Sequence, residues 1–323
     1  MKIAQIAPII ERVPPKKYGG TERVVYALTE ELVKLGHNVT LFATGDSITS
    51  ARLVSYAKKG LRELYKNDFY NRNIQILTHL GAAYALQDEF DIIHDHCGIH
   101  SVPFAVISHV PILMTLHGAF NKKTNPLYET LNNPFNPSFV SISQSQREGL
   151  PTLNYSGTVY NGLPMAHYPF SEKHDDYLLF VGRIAPEKGV HHAITVAKKV
   201  NKKLIIAVKL EEVNVSYFKE KIEPYLSDTI RWIGEIDEKT RNKIMSRAYC
   251  FLHPTTWNEP FGLTLIESMA TGCPVIAIGK GSIPEIISHG KTGFVVNTPF
   301  EMAASVQKID RIDRTMSRGD RLE

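Results

Sequence analysis

Two carboxylates, Glu259 and Glu267, stand eight residues apart around a Pro-Phe-Gly turn within residues 257–267. A short apolar run precedes the turn, and the pattern predicts a strand, a tight turn and a helix reaching about residue 270. Eight helical residues span about 12 Å, close to the length of a nucleoside diphosphate. One carboxylate can therefore bind sugar hydroxyls and the other ribose hydroxyls. The alternative is that Glu259 caps the helix and Glu267 is a solvated surface residue.

The start of this predicted helix is itself a candidate anion site. Pro260 and Gly262 fit a tight turn, after which the backbone N–H groups of residues 261–264 would point out of the helix. The first N–H groups of a helix lack intrahelical acceptors, and the helix dipole is positive there. The segment can therefore hold a phosphate between the two carboxylates.

Two cations follow another predicted strand. Arg183 and Lys188 lie in the segment Phe-Val-Gly-Arg-Ile-Ala-Pro-Glu-Lys-Gly, residues 180–189, ahead of a predicted helix. Fixed cations at the carboxyl end of a strand can neutralise a diphosphate, arginine through a planar fork and lysine as a compact charge. The alternative is a pair of ordinary surface cations, one of them paired with Glu187.

Two weaker signals lie in the first half of the chain. Gly19 and Gly20 follow the first predicted strand, and glycines allow a backbone to approach a ligand closely. His117 follows another strand in Thr-Leu-His-Gly and could hydrogen-bond a sugar hydroxyl or help to stabilise developing charge. The alternatives are a flexible turn for the glycines and a core or capping role for the histidine.

Short apolar strands alternate with helices along the chain, which predicts an α/β fold of parallel sheets covered on both faces. Thr21 is predicted to cap the first helix and Gly36 to end it. The predicted strands are residues 2–7, 39–43, 91–95, 112–116 and 139–143, then 177–181, 203–208, 229–233, 249–253 and 274–278.

The two series of strands predict two facing Rossmann-like domains, residues 1–168 and 169–323, divided in a polar, turn-rich segment at residues 164–176. Ligands of open parallel sheets bind beyond the carboxyl ends of the strands. We therefore expect the ligand in a cleft between the two sheets.

Composition narrows the class of protein. The 323 residues carry a net charge of +4 and are 43% hydrophobic, as in an ordinary globular protein without the dense basic footprint of nucleic-acid binding. Three widely spaced cysteines argue against a disulfide framework and favour a reducing compartment. The N-terminus is typical of a buried first strand, and no apolar run is long enough to span a membrane. We expect a cytoplasmic protein.

Two further segments have residue types that are found in binding elements. Residues 51–66, from Ala51 to Lys66, combine basic residues with an apolar side and predict a solvated outer helix, with peripheral contact to an anionic inner membrane face as the alternative. His94-Asp95-His96 has the residue types of a metal site. Only its two histidines can share one face of a strand, so we expect no metal there.

These segments, in this order, resemble the family 4 glycosyltransferases of the GT-B fold, over residues 1–309. The E-x7-E segment and Gly-Arg-x-x-x-x-Lys-Gly are the most specific marks, and the glycine pair and His-Gly support them. The resemblance implies a hexosyltransferase that uses a nucleotide-diphosphate sugar, UDP- or GDP-linked, and retains configuration at the transferred carbon.

The resemblance also implies a role for each matching residue. Arg183 and Lys188 would hold the diphosphate, Glu259 would orient the donor sugar, and Glu267 would bind the ribose. The catalytic residues would be His117, Glu259, Arg183 and Lys188, and the remaining donor-binding positions would be Gly19, Gly20, Phe261, Gly262, Leu263 and Glu267. No metal or other cofactor is expected, in agreement with the lack of an Asp-x-Asp motif.

The acceptor stays open as a saccharide, a lipid or a small molecule. The chain is short at its C-terminus, so we expect the helices that usually cross back to the first domain to be missing. Val208 stands where the family commonly has a glycine near the nucleotide, which leaves the donor base open. The alternatives are a nucleotide-sugar epimerase of the same fold and a nucleotide-sugar-binding protein with weak activity.

Overall fold

A computed structural model describes residues 1–65, 68–131 and 137–319 of the chain. The chain divides into two compact units, Met1–Gly162 and Leu163–Glu323, called unit 1 and unit 2 below. Each unit is a parallel sheet with helices and its own apolar core.

Unit 1 contains a seven-stranded sheet in the order β3-β2-β1-β4-β5-β6-β7, and every neighbouring pair is parallel. Its strands are β1 (Lys2–Ile6), β2 (Asn38–Phe42), β3 (Arg52–Val54), β4 (Ile92–Asp95), β5 (Ile112–Leu116), β6 (Ser138–Ser141) and β7 (Tyr155–Thr158). Its helices are α1 (Gly20–Lys34), α2 (Leu61–Leu64), α3 (Phe69–Tyr84), α4 (Val102–Ala105), α5 (Asn125–Glu129) and α6 (Gln144–Glu148).

Unit 2 contains a six-stranded parallel sheet in the order β10-β9-β8-β11-β12-β13. Its strands are β8 (Tyr177–Arg183), β9 (Lys203–Lys209), β10 (Ile230–Trp232), β11 (Cys250–His253), β12 (Val275–Ile278) and β13 (Gly293–Val296). Its helices are α7 (Val190–Val200), α8 (Val215–Lys221), α9 (Glu238–Arg247), α10 (Leu263–Ala270), α11 (Ile283–Ile286), α12 (Pro299–Val306) and α13 (Arg314–Gly319).

Short 3-10 turns complete the two units: Gln87–Glu89, Gly98–Ser101, Met165–His167, Pro186–Lys188, Glu212–Asn214, Glu223–Tyr225 and Ile309–Arg311. Each predicted strand is present in the structure, with ends shifted by no more than a few residues. The edge strands β3, β7 and β13 were not predicted, because they are short and only partly apolar.

The predicted outer helix at residues 51–66 is wrong. Its first part is β3, which pairs in parallel with β2 at the sheet edge, and only Leu61–Leu64 is helical. Ala57 and Leu61 are buried in the core of unit 1, whereas Tyr56 and Leu64 are exposed, so the apolar residues do not form one continuous face. Lys66 lies outside the described residues. Across the described residues 51–65, the chain therefore does not form an amphipathic helix that could rest on a membrane surface.

The predicted cap at Thr21 is also wrong. Helix α1 already begins at Gly20, and Gly19 precedes it without a side chain that could cap the first turn. A Cβ at Gly19 would lie 2.7 Å from the Cβ of Pro15, so the chain needs glycine at this position.

The segment just after Gly162 packs within unit 2. Asn242 donates its side-chain N–H to His167 O at 3.2 Å, and a Cβ on Gly272 would meet the ring of Phe170 at 2.6 Å. The predicted division after residue 168 falls in this segment, which its contacts assign to the second unit. Among the described helices, none combines the length and the apolar composition that a membrane crossing requires.

Candidate functional site

The carboxyl ends of β8 and β11 carry the two most specific sequence segments. β8 ends at Arg183 and β11 at His253, and the strands pair in parallel, so both segments leave the sheet at one edge. The loops that follow are bonded together, because the backbone N–H of Thr256 donates to Glu187 O at 2.8 Å. Gly189 permits this approach, since a Cβ there would lie 2.2 Å from Pro254 O.

This approach pairs Lys188 with Glu259. Lys188 Nζ lies 2.6 Å from Glu259 Oε2, and the two side chains are 16% and 10% exposed. Trp257 Nε1 donates to the same carboxylate oxygen at 3.0 Å, and Lys188 Nζ lies 4.7 Å from the centroid of the Trp257 ring. A cation and a carboxylate that are 71 residues apart in the sequence therefore share one site.

The environment of Glu259 keeps its carboxylate charged.

 Burial alone would raise the pKa of Glu259, but the neighbouring His253 and Lys188 outweigh burial and lower the pKa to about 2. His253 Nε2 lies 3.6 Å from Glu259 Oε2, and burial lowers the pKa of His253 itself. At neutral pH the site therefore holds an ionised Glu259 beside a neutral His253.

The backbone of Glu259 is fixed by the loop after β12. Ser282 donates its backbone N–H to Glu259 O at 2.9 Å, and its hydroxyl donates to Phe261 O at 2.8 Å. Gly281 has φ +63°, and a Cβ there would lie 2.3 Å from Glu259 O. Gly281 and Ser282 therefore position the turn, although their loop has no motif that would have indicated this from the sequence.

The helix predicted after the Pro-Phe-Gly turn is confirmed as α10, which begins at Leu263 and ends at Ala270. Gly262 occupies the N-cap position with φ +83°, and Leu265 donates its backbone N–H to Gly262 O at 2.9 Å. The backbone N–H groups of Leu263 and Thr264, the first two residues of the helix, have no acceptor within it, by the geometry of any α-helix. The N-cap position thus belongs to Gly262, while Glu259 is bound by Lys188.

Glu267 lies on α10 and is 1% exposed, so the alternative of a solvated surface residue is wrong. Arg241 of α9, itself 8% exposed, donates from Nη2 to Glu267 Oε1 at 2.9 Å. The hydroxyl of Tyr168 donates to the same oxygen at 3.5 Å. Arg241 was missed from the sequence, because no local pattern shows which cation reaches a carboxylate on another helix.

Arg183 is the more exposed of the two predicted cations. Its Nη2 donates to Glu187 Oε1 at 2.8 Å, and its Nη1 lies 3.9 Å from Glu211 Oε2. About a third of each side chain of the Arg183–Glu187 pair is exposed, at 32% and 34%. The predicted alternative, in which one of the two cations pairs with Glu187, is thus present, and the cation is Arg183.

In unit 1, Gly19 and Gly20 form the junction between the loop after β1 and helix α1. Glu22 in the first turn is buried, and a Cβ on Gly19 would lie 3.0 Å from Glu22 Oε2. Burial, with the nearby Glu11 in support, raises the pKa of Glu22 to about 7 against the opposing effects of backbone hydrogen bonds and Arg62. The glycine loop therefore lies against a carboxyl group that titrates near neutral pH.

His117 follows β5 and is half-buried. Its Nε2 lies 3.0 Å from His96 Nδ1, and burial together with the charge of His94 lowers the pKa of His117 to about 3. His94 and His96 contact the side chain of Gln5 on β1. Among the described residues, no group of three or more His, Cys, Asp or Glu side chains could hold a metal ion.

Two protein-family models match the chain. Glycosyl transferases group 1 matches residues 169–315, and Glycosyltransferase Family 4 matches residues 18–163. The chain belongs to the family 4 glycosyltransferases. Its two Rossmann-like units are those of the GT-B fold. The chain is accordingly a glycosyltransferase, and the family matches do not favour the epimerase alternative.

Similar proteins include a glycogen synthase of Mycobacterium tuberculosis, 22% identical over 87% of this chain and 79% of the relative. A phosphatidyl-myo-inositol mannosyltransferase of Mycolicibacterium smegmatis is 23% identical over 92% of this chain and 81% of the relative. The crystal structure of Anabaena Alr3699/HepE in complex with UDP-glucose has a TM-score of 0.73 and 16% identity, covering 98% of this chain and 93% of that protein. At these identities the structural likeness supports the fold alone.

Proposed function

We propose that this family 4 glycosyltransferase transfers a hexose from a nucleotide-diphosphate sugar to its acceptor with retention of configuration. The observation that carries the proposal is the contact between Lys188 and Glu259 beside the start of α10. This contact places a cation that would bind the diphosphate next to a carboxylate that would bind the sugar. The mannosyltransferase among the relatives supports a hexose as the transferred group, and the UDP-glucose complex among the similar structures supports a sugar nucleotide as the donor.

The chemistry is stabilisation of the leaving group. Breaking the glycosidic bond puts negative charge on the diphosphate while the sugar becomes oxocarbenium-like. Lys188, Arg183 and the helix start at Phe261, Gly262 and Leu263 would bind the charged oxygens. Charged groups held in place before the reaction stabilise this charge without reorganisation, which is worth roughly 10²–10³ in rate for one donor. Cationic side chains would serve where other enzymes use a metal, so we propose that transfer needs none.

The remaining roles concern positioning. Glu259 would accept hydrogen bonds from hydroxyls of the donor sugar once the diphosphate engages Lys188. Glu267 would bind the ribose, and its side chain is 1% exposed beside Arg241 before any donor is bound. Gly19 and Gly20 would approach the diphosphate, and His117 would lie beside the transferred sugar. We propose a saccharide, a lipid or a small molecule as the acceptor class.

Thermal unfolding with UDP-, GDP- and ADP-sugars tests donor binding, because a ligand at 100 times its Kd stabilises the folded state by about 2.7 kcal/mol. One base should stabilise the protein and the others should not. Glu259→Ala and Lys188→Ala should each lower transfer by roughly 10² or more. Lys219→Ala on the exposed side of α8 is the matched lysine control and should transfer normally. Near-normal turnover of either site variant would refute the assignment of the site.

Product stereochemistry and chelation test the finer claims. The anomeric configuration of the product, read by proton NMR before mutarotation, should match that of the donor. Transfer in excess chelator should equal transfer without it. An inverted product would overturn retention, and a loss of transfer that is restored by added metal would overturn the metal-independent mechanism.

A further inference from the structure

Four polar side chains of unit 1 form a continuous hydrogen-bonded chain that ends at His117. β1, β4 and β5 are neighbours in the sheet, and Gln5 on β1 is paired in register with His94 on β4. Gln5 Nε2 lies 3.2 Å from His94 Nδ1, and Gln5 Oε1 lies 2.8 Å from His96 Nε2. His96 Nδ1 then lies 3.0 Å from His117 Nε2. Gln5 and His96 are both buried, so water does not compete for these bonds.

The amide of Gln5 decides the direction of every bond in this chain. An amide oxygen only accepts, so His96 must donate from Nε2 to Gln5 Oε1. A neutral His96 then has no proton on Nδ1, which must accept the N–H of His117 Nε2. Burial and the charges of His94 and His117 lower the pKa of His96 well below its usual value, so His96 is neutral at physiological pH.

The same argument reaches the far side of the His117 ring. A neutral His117 that carries its proton on Nε2 has a bare lone pair on Nδ1. Within the described part of the chain, His117 Nδ1 makes no hydrogen bond, and the residue is only half-buried. The ring therefore presents an acceptor to whatever lies against it.

We propose that Gln5 and His96 are positioning residues that hold His117 in its Nε2–H tautomer, so that Nδ1 accepts a hydrogen bond from a hydroxyl of the transferred sugar. This inference rests on the proposed function, which puts His117 beside that sugar. It assigns specificity to His117, because a hydrogen-bond acceptor at this position favours the binding of a sugar that has a hydroxyl there. It also excludes a role for His117 as a proton donor to the departing diphosphate.

Nitrogen-15 NMR of the full chain labelled at histidine tests the tautomer without donor, since protonated and bare ring nitrogens differ in chemical shift. At pH 7, His117 should show a protonated Nε2 and a bare Nδ1, and a His117→Phe variant assigns its signals. A His117 protonated on Nδ1, or on both nitrogens, overturns the inference. Because no transfer is measured, failure of the proposed function would leave this result unaffected.

Two variants distinguish a positioning role of Gln5 from a general disturbance of the fold of unit 1. Gln5→Met removes the oxygen that directs His96, so His117 should lose its single tautomer and kcat/KM for the donor should fall about tenfold. Thr115→Val removes only the partner of His94 Nε2, 2.8 Å away, and should leave the His117 signals unchanged. A pure Nε2–H signal for His117 in Gln5→Met would overturn the positioning role.

Donors that each lack one hydroxyl of the sugar test the substrate side. The intact protein should turn over one of these deoxy donors about tenfold more slowly than the parent donor. Gln5→Met should discriminate less against that same donor, because His117 no longer presents Nδ1 in every molecule. Equal discrimination in both proteins would show that His117 does not select this hydroxyl.

Discussion

Lys188 Nζ and Glu259 Oε2 form an ion pair at 2.6 Å, so the cation that we assign to the diphosphate neutralises the carboxylate that we assign to the sugar. The pair keeps two nearly buried charges together before any donor is present. A diphosphate would give Lys188 a second anionic partner, and sugar hydroxyls could then donate to Glu259. The following experiments separate the part that this pair plays in stability from its part in binding.

Lys188→Met should lower the free energy of unfolding by about 2–3 kcal/mol, because it leaves a nearly buried carboxylate without its cation. Arg183→Met is the matched control, and it should cost about 1 kcal/mol or less since the Arg183–Glu187 pair is a third exposed. Urea unfolding measures both, and calorimetry with the donor should show weaker binding in each variant. Equal losses of stability would contradict the difference in burial on which this prediction rests.

Gly281→Ala should reduce transfer at least roughly tenfold, because its Cβ would lie 2.3 Å from Glu259 O and would displace that backbone. Gly290→Ala is the control: φ is +80° there, but a Cβ would meet nothing within 4 Å. It should cost about 1–2 kcal/mol of stability, from the left-handed backbone alone, and leave transfer unchanged. Steady-state kinetics and urea unfolding of both variants check this, and a fully active Gly281→Ala would contradict it.

Arg241→Met should lower the free energy of unfolding by about 3–5 kcal/mol, since it removes the cation that neutralises the buried carboxylate of Glu267. Arg247→Met removes an arginine of the same helix whose partner Asp175 is exposed, and its loss should be much smaller. Thermal and urea unfolding provide the comparison. If the two variants were equally stable, the Arg241–Glu267 pair would not hold α9 against α10.

Glu22→Gln should change how stability depends on pH. The pKa of Glu22 is raised from 4.5 to about 7 in the folded protein, so its stabilising contribution is complete below pH 4.5 and is lost as the pH rises through 7. Between pH 4.5 and 8 the unchanged protein should therefore lose about 3 kcal/mol more than Glu22→Gln.

Glu30→Gln, on the same helix, is the control for this pH dependence. Hydrogen bonds from Thr49 and Ser50 outweigh burial and lower the pKa of Glu30, so its contribution is lost at acidic pH instead. Urea unfolding across the pH range distinguishes the two carboxyl groups. If Glu22→Gln had the same pH profile as the unchanged protein, Glu22 would titrate equally in the folded and unfolded states.

The central strands and α10 could be predicted because their signals are local. A buried parallel strand is a short apolar run, and the Pro-Phe-Gly turn marks a helix start within a few residues. Residues 51–66 show the limit of such signals. The spacing of basic and apolar residues there fits a helix. In the structure, however, Arg52–Val54 pairs with the edge of β2 as a strand. Tertiary pairing overrode the local pattern.

The candidate site was predicted in part. Arg183, Lys188, Glu259 and Glu267 were identified from residue type and from their positions after strands or on a helix. Their partners Arg241, Gly281 and Ser282 were not, since each contact joins segments that are far apart in the chain. The role of Gln5 was equally hidden, because a single glutamine in an apolar strand has no distinctive spacing.

The sequence by itself determined the alternation of strands and helices, the family, and the residues that stand at the carboxyl ends of strands. These features depend on residues that are close together in the sequence, so the spacing of apolar, polar and turn-forming residues indicates them. Only the tertiary structure decided that Lys188 meets Glu259, that Glu267 is buried against Arg241, and that Gln5 directs the proton of His117. Such contacts depend on which segments pack together, and that is settled by burial and hydrogen bonding over the whole unit.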